Sequence, residues 1–290
     1  MKFRTELPPP KYPFHIGYSD KLLFLGSCFS DHIGDFFHRH QFDALCNPFG
    51  TLFNPYSIAT ALNLSLHPEL FTEQYLCPVN GEWMSFAHHG QFSHPDKNCF
   101  VTAIHQQLKE TGDFLRQTDF LFLTFGTAYV YRHKQTGLIV ANCHKIPACE
   151  FTKERLNIEE IVEMYLPLLK ELKQINPSLQ TIITISPVRH LSDGFHENQL
   201  SKSILHVATD KILISQPQTY YFPAYEIVND DLRDYRFYAQ DLCHPGENAL
   251  MYLKEMVVAA FLNQETENQR LIVEKELKFS EHKPLKRKIR

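Results

Sequence analysis

The run DFLFLTFG at 119–126 is apolar almost from end to end and stops at Gly126. A strand that is apolar at both odd and even positions must be covered on both faces, as a central strand of a parallel sheet is. Three further runs share this character: KLLFLG (21–26), FDALCNP (42–48, stopped by Pro48) and TIITISP (181–187). YYFPAYEI (220–227) is a weaker fifth, because Pro223 has no N–H to give to a ladder. Between these runs lie stretches with helical spacing. Residues 31–40 follow the first strand, with Ser30 or Asp31 as N-cap. Residues 55–66 follow Asn54 and begin on a proline, the favoured first helical residue. Residues 98–117, 153–175, 197–214 and 246–263 complete the set. Strand and helix in alternation predict a doubly wound α/β unit, with helices on both faces of one sheet. Two stretches interrupt the pattern: 77–100 is turn-rich, and 129–147 looks like a hairpin. Both read as excursions near the sheet's edge or mouth.

Composition narrows the function classes. A chain of 290 residues is long enough to bury a large core without disulfides or metal. Its net charge of −4 gives no basic field to recruit nucleic acid. The seven cysteines include no C-x-x-C pair, so neither a zinc ribbon nor a thioredoxin-type site is indicated. The opening MKFRTELPPPKYPF lacks the apolar core of a signal peptide, and no run of apolar residues is long enough to span a bilayer. The expectation is a reduced, cytoplasmic protein with one domain over 1–263. A charged tail over 264–290, ending in the basic KPLKRKIR, is expected to be solvated or frayed.

In an open α/β sheet, ligands bind beyond the carboxyl ends of the strands. Reactive residue types collect there in this chain. Gly26-Ser27-Cys28-Phe29-Ser30 follows the first strand, and Asn47-Pro48-Phe49-Gly50-Thr51 the second. Gly126-Thr127-Ala128 follows the third, and Ser186-Pro187-Val188-Arg189-His190 the fourth. Asp241-Leu242-Cys243-His244-Pro245 lies beyond the fifth. A thiol, hydroxyls, glycines and a carboxylate–imidazole pair therefore fall at one edge.

The ordered set GSCFS, NPFGTLFNP, FGTAYVY, SPVRH-LSDG and YFPAYEI resembles the GSCFA family, which is itself similar to the SGNH/GDSL hydrolases. The resemblance spans most of residues 20–250. It implies a three-layer sandwich around a five-stranded, mainly parallel, flavodoxin-like sheet. It also implies a hydrolase or acyltransferase acting on an ester or acylated carbohydrate, with no cofactor. Cys28 falls on the nucleophile position of the first block and Ser27 on the position usually held by aspartate. Gly50 matches the oxyanion glycine. Asp241 and His244 match the D-x-x-H block. The third block departs from the pattern: Gly126 and Thr127 are followed by Ala128, where those enzymes carry an asparagine.

The chemistry also follows from the residue types. A nucleophile on a turn after a strand is exposed at the sheet's mouth. A histidine removes its proton, and a carboxylate fixes the histidine tautomer. A thiol beside a histidine and a helix N-terminus is expected to have a depressed pKa. Successive side chains after a strand point to opposite faces, so only one of Ser27 and Cys28 can face the cleft; the resemblance, which sets Cys28 on the nucleophile position, implies that Cys28 attacks. Backbone N–H groups at Cys28 and Gly50 are candidate oxyanion donors. Arg189 and His190 are candidates to contact a carboxylate or phosphate on the substrate, or to pair with Asp193. An alternative reading is a non-catalytic ligand-binding module on the same scaffold. A third, zinc held by His88, His89 and His94, fits no known ligand spacing. Arg233 and Arg236 are expected to pair with neighbouring aspartates.

Overall fold

The computed structural model describes residues 4–281. Its central sheet has five strands: β1 (Lys21–Gly26), β2 (Asp43–Cys46), β3 (Phe120–Phe125), β4 (Gln180–Ile185) and β5 (Thr219–Phe222). Their spatial order is β2-β1-β3-β4-β5, and every neighbouring pair is parallel. This is the flavodoxin-like order, with its switch point between β1 and β3. The register sets Leu23 beside Leu45 on one side and Leu121 on the other, and Leu121 beside Thr181.

Alternate residues of these strands feed two separate cores. Leu23, Leu25, Leu121, Leu123, Ile183 and Ile185 point to one face. There they meet α2 (Pro55–Leu66), α3 (Lys97–Leu115), α4 (Ile158–Ile175) and α5 (Phe195–Ser215). Leu22, Phe24, Phe120, Phe122, Ile182 and Phe222 point to the other face, toward α1 (Cys28–Arg39) and α6 (Glu247–Phe261). Each such side chain contributes about 1.5–3 kcal/mol by leaving water. The double-sided apolarity of the strands is thus the direct cause of the three layers.

Element boundaries depart from the sequence reading in four places. Helix α1 starts at Cys28, so its N-cap is Ser27 and not Ser30 or Asp31. Helix α4 starts at Ile158, behind a capping box of Asn157 and Glu160. Residues expected in its first turn instead form a strand, Phe151–Arg155, paired with Tyr129–His133 of the 129–147 hairpin. The fifth strand stops at Phe222, as Pro223 dictates, and helical turns with a π-helical stretch (Ile227–Leu232) follow it. Finally, much of the segment read as a tail is helix α7 (Gln264–Glu281). Arg270 ties it to the body: its guanidinium donates to Glu267 and Glu274, meets His40 Nε2 at 3.2 Å and lies over the Phe36 ring. The basic end KPLKRKIR lies outside the described residues.

The turn-rich region holds a short hairpin (Leu76–Val79 with Glu82–Ser85), and the histidines that surround Ser85 at its end serve packing. His88 Nδ1 meets Ser85 Oγ at 2.9 Å and its Nε2 meets Gln107 Oε1 at 3.2 Å; His144 Nε2 meets the Ser85 carbonyl at 2.7 Å. Among the described residues, no cluster of three or more histidines, cysteines and carboxylates is arranged to hold a metal. Among them, too, no helix is long and apolar enough to cross a membrane.

Candidate active site

The carboxyl ends of β1, β3 and β4 meet where Gly26 leaves the sheet. Gly26 has φ +143°, and a side chain there would overlap the Thr124 backbone. β1 and β3 can run this close only because this position is glycine. The Gly26 N–H donates to Asn47 Oδ1 (2.8 Å), Asn47 Nδ2 donates to Asp31 Oδ1 (2.6 Å), and Thr51 Oγ1 donates to Asp31 Oδ2 (3.2 Å). This network fixes the turn into α1.

Ser27 caps α1 by position but not by bonding. Its side chain makes no cap hydrogen bond, and its buried Oγ has no partner among the described residues. A serine at an N-cap ordinarily accepts from an amide of the first turn. The Ser30 N–H donates to the Ser27 carbonyl (2.7 Å), which leaves the Cys28 and Phe29 amides for another acceptor, and an anion at a helix N-terminus is favoured by the helix dipole as well. Cys28 is the first helical residue and is half-buried. It lines a small cleft with His32, Val188, His244 and Pro245.

The Asp241–His244 pair sits on a tight turn. His244 Nδ1 lies 2.6 Å from Asp241 Oδ2, while Asp241 Oδ1 accepts the N–H groups of Cys243 (2.9 Å) and His244 (3.0 Å). These two backbone donors, and then the imidazole, hold the Asp241 carboxyl down to about 2. A carboxylate ionised at all working pH values favours the proton on Nδ1 and leaves Nε2 as an acceptor. The turn carries strain: Leu242 has φ +58°, a conformation that favours glycine. The carbonyl of Cys243 accepts from the Arg189 N–H (3.2 Å), which ties the turn to the loop after β4.

Cys28 and His244 thus share a cleft, but among the described residues no hydrogen bond joins them. The expected low thiol pKa is not met either. Burial, and then the Asp31 carboxylate, push the Cys28 thiol up. The Cys28 and Phe29 amides and Lys202 pull it down by less. At rest the group is a thiol.

The other sequence candidates divide. Gly126 borders Ser27 and His190: a side chain there would come within 3.4 Å of Ser27 Cβ and 3.5 Å of His190 Nε2, and would strike the Phe53 carbonyl at 2.8 Å. The Gly126 and Thr127 amides both donate to that Phe53 carbonyl (2.9 Å each), so neither is an open donor. Gly50 is also spent. Its N–H donates to the Asn47 carbonyl (2.7 Å) and its α-carbon packs on His89, which removes the expected oxyanion donor at this position. Thr127 Oγ1 shares a hydrogen with Ser201 Oγ (3.1 Å). His190 has a buried Nε2 without a partner, and burial followed by the nearby Lys202 charge drives it down to about 4. Arg189 donates to Asn229 Oδ1 (2.9 Å) and not to Asp193, which pairs with Lys153. Arg233 and Arg236 pair with Asp230 and Asp234.

One residue at the centre is absent from the sequence reading. Lys202 of α5 is fully buried, and its Nζ donates to the Gly126 and Ser186 carbonyls at 2.6 Å each. It bridges the ends of β3 and β4 close enough to Cys28 to act on its charge. The sequence carried a signal. Asn198, Lys202, Leu205, Thr209 and Ile212 recur at the spacing of a buried helical stripe, so the lysine had to point inward.

A family-model comparison matches the GSCFA family over residues 21–256. A search of curated proteins finds no match. Among solved structures, the chain is similar to a catalytic mutant of an acetylxylan esterase from Geobacillus stearothermophilus. Identity is 14%, 87% of this chain and 100% of that one are covered, and the TM-score is 0.40. It is similar to a carbohydrate esterase family 3 protein from Talaromyces cellulolyticus at 7% identity, over 88% and 99% of the chains, with a TM-score of 0.35. It is also similar to an acetyl xylan esterase from Butyrivibrio proteoclasticus at 14% identity, over 83% and 63%, with a TM-score of 0.37. The sequence match spans all five strands, the Cys28 turn and the Asp241–His244 turn, and on it the chain belongs to the GSCFA family.

Proposed function

We propose that this chain transfers the acyl group of an ester, to water or to another hydroxyl, with Cys28 as nucleophile, His244 as general base and Asp241 as the group that orients it. An acylated carbohydrate is one such ester. The observation that carries the reading is the Asp241–His244 pair on the rim of a cleft whose floor holds Cys28 at a helix N-terminus.

Because the resting group is a thiol, attack and proton removal are coupled. His244 Nε2 takes the Cys28 proton as sulfur bonds to the carbonyl carbon. The Cys28 and Phe29 amides in the first turn of α1 donate to the oxyanion that forms. Collapse breaks the carbon–oxygen bond, and His244 returns its proton to the leaving alcohol. Water or an acceptor hydroxyl then adds to the thioester with the same base, releases the acyl product and restores the thiol. Gly126, Thr127, Arg189 and His190 would contact the substrate around this centre. Ser27 is the second candidate nucleophile, on the strength of its unpartnered hydroxyl.

The test is turnover of 4-nitrophenyl acetate by the wild type and by His244→Ala and Cys28→Ala. The proposal expects both variants to lose most of the activity, and equal rates in all three would overturn it. The alternative, a binding module without chemistry, is favoured by the raised Cys28 thiol. That reading expects no turnover in any of the three proteins.

A further inference from the structure

Beside the Asp241–His244 pair lies a second cleft, of about 380 Å³, separate from the one that holds Cys28. Arg189, Phe195, Asn229, Arg233, Tyr235 and Leu242 line it, and Asp241 lies on its edge. We infer that this cleft receives the alcohol side of the substrate, that this side bears a carboxylate next to a flat or apolar body, and that Arg189 selects it. The inference deepens the acyl-transfer reading by naming its substrate class.

Four independent features converge on this cleft. The first is charge. The other charged groups at the cleft are already taken up: Arg233 by Asp230, Asp234 by Arg236, and Asp241 by the Cys243 and His244 N–H groups and the His244 ring. Arg189 is not, because its guanidinium donates to the neutral Asn229 amide oxygen and meets no carboxylate among the described residues. A planar guanidinium with donors to spare is suited to grip a carboxylate through two parallel bonds.

The second feature is preorganisation. Asn229 Oδ1 also accepts the Tyr238 hydroxyl (3.1 Å), and Asn229 Nδ2 donates to the Tyr225 carbonyl (2.9 Å). The anchor of Arg189 is therefore itself held at both ends, which lowers the entropy lost on binding.

The third is exposed apolar surface. Phe195, Tyr235 and Leu242 are 71%, 75% and 51% exposed, and all three face this one cleft. Apolar walls with a few placed polar groups are the make-up of a small-molecule site.

The fourth is backbone. Arg233 (φ +30°) and Leu242 (φ +58°) are both left-handed non-glycine residues, and Asn229 lies in the π-helical stretch. Strained and π-helical segments collect at functional sites.

The cleft opens on the pair that would protonate the leaving alcohol. Its occupant is therefore the alcohol part of the ester rather than the acyl part, which must reach Cys28. A carboxylate there lies on the stable portion of the molecule and does not take part in bond breaking.

Two measurements test this separately from turnover. The first is titration of the full chain with benzoate and with benzamide, by calorimetry. Benzoate is expected to bind at least ten-fold more tightly than benzamide. The preference should vanish in Arg189→Gln. It should also vanish in Asn229→Asp, which hands Arg189 a carboxylate of its own at nearly unchanged shape. The second is kcat/KM for 4-acetoxybenzoate against its methyl ester, where the acid should be preferred at least ten-fold in the wild type and not in Asn229→Asp. Equal binding of benzoate and benzamide by the wild type overturns the inference, as does a preference that survives both substitutions. Arg189-dependent benzoate binding without hydrolysis of any ester would leave this site standing and remove the acyl-transfer reading instead.

Discussion

Replacement of Lys202 by methionine isolates the largest buried charge at the site. The ammonium is fully buried, and loss of water drives it from an ordinary 10.5 down to about 7, against the pull of two carbonyls and of Cys28. At about 1.36 kcal/mol per unit, that depression is worth about 5 kcal/mol. The sign follows from linkage. Below about pH 7 both folded and unfolded chains hold the proton and the folded state carries the whole penalty; from there up to about 10.4 the unfolded chain holds more protons, so stability rises with pH. Methionine keeps the volume and has no charge, so Lys202→Met lacks this slope. The carbonyls it leaves unpaired cost about 1–3 kcal/mol each, an offset that does not change with pH. Urea unfolding of both proteins, measured from about pH 7 to about pH 9, should show the wild type gaining about 2 kcal/mol on the variant. Parallel curves would refute the reasoning, because they would mean that Lys202 remains an ammonium throughout.

Three further outcomes are expected. Asp31→Asn removes the second largest cause of the high Cys28 pKa, so the pH profile of Cys28 alkylation by iodoacetamide should move down, while the wild-type profile lies above that of a free cysteine; a profile that does not move would show that Asp31 does not reach the thiol. Asp241→Asn leaves an acceptor for the turn amides but removes the charge that orients His244, and should lower ester turnover by about 10²-fold or more with folding retained; turnover within a few-fold of wild type would sink the orienting role. Gly126→Ala drives a methyl into the Phe53 carbonyl and should destabilise the fold by about 1–3 kcal/mol in urea unfolding, where an unchanged midpoint would show that the loop yields freely.

Much of the scaffold was legible because strands covered on both faces leave an unmistakable trace. DFLFLTFG and TIITISP carry apolar residues at both odd and even positions, and they are the adjacent β3 and β4. The N-terminus of α2 was marked by Asn54, whose side chain accepts from Ser57 N, with Pro55 in the first turn. The start of α4 was missed although Asn157 and Glu160 mark it. The preceding Thr152, Lys153 and Glu154 are polar because their edge ribbon is solvated, and polar residues do not separate ribbon from helix. Helix α7 was missed because its surface is charged. It is docked by Arg270, a residue type ordinarily read as exposed.

The candidate site was legible in its reactive residues and not in its electrostatics. Cys28 stands at the end of a strand the sequence marks clearly, while Asp241 and His244 are picked out by the D-x-x-H pattern of the resembling family. Whether Gly50 offers its amide depends on the turn that spends it on Asn47, and the Cys28 pKa depends on Asp31 and on burial. Neither has a one-dimensional signature. Lys202 did have one, in the apolar stripe of α5, but a lysine invites the assumption that it faces solvent.

The central claim is that an acyl group passes through the sulfur of Cys28. Intact-protein and peptide mass spectrometry, after a brief mix with 4-nitrophenyl acetate and an acid quench, reads this directly. The account predicts one added acetyl group on the Cys28 peptide in the wild type, its persistence in a variant slowed at the second step, and none on that peptide in Cys28→Ala. Acetyl on Ser27 with Cys28 unmodified, in a protein that turns the ester over, would contradict it and give the reaction to the serine.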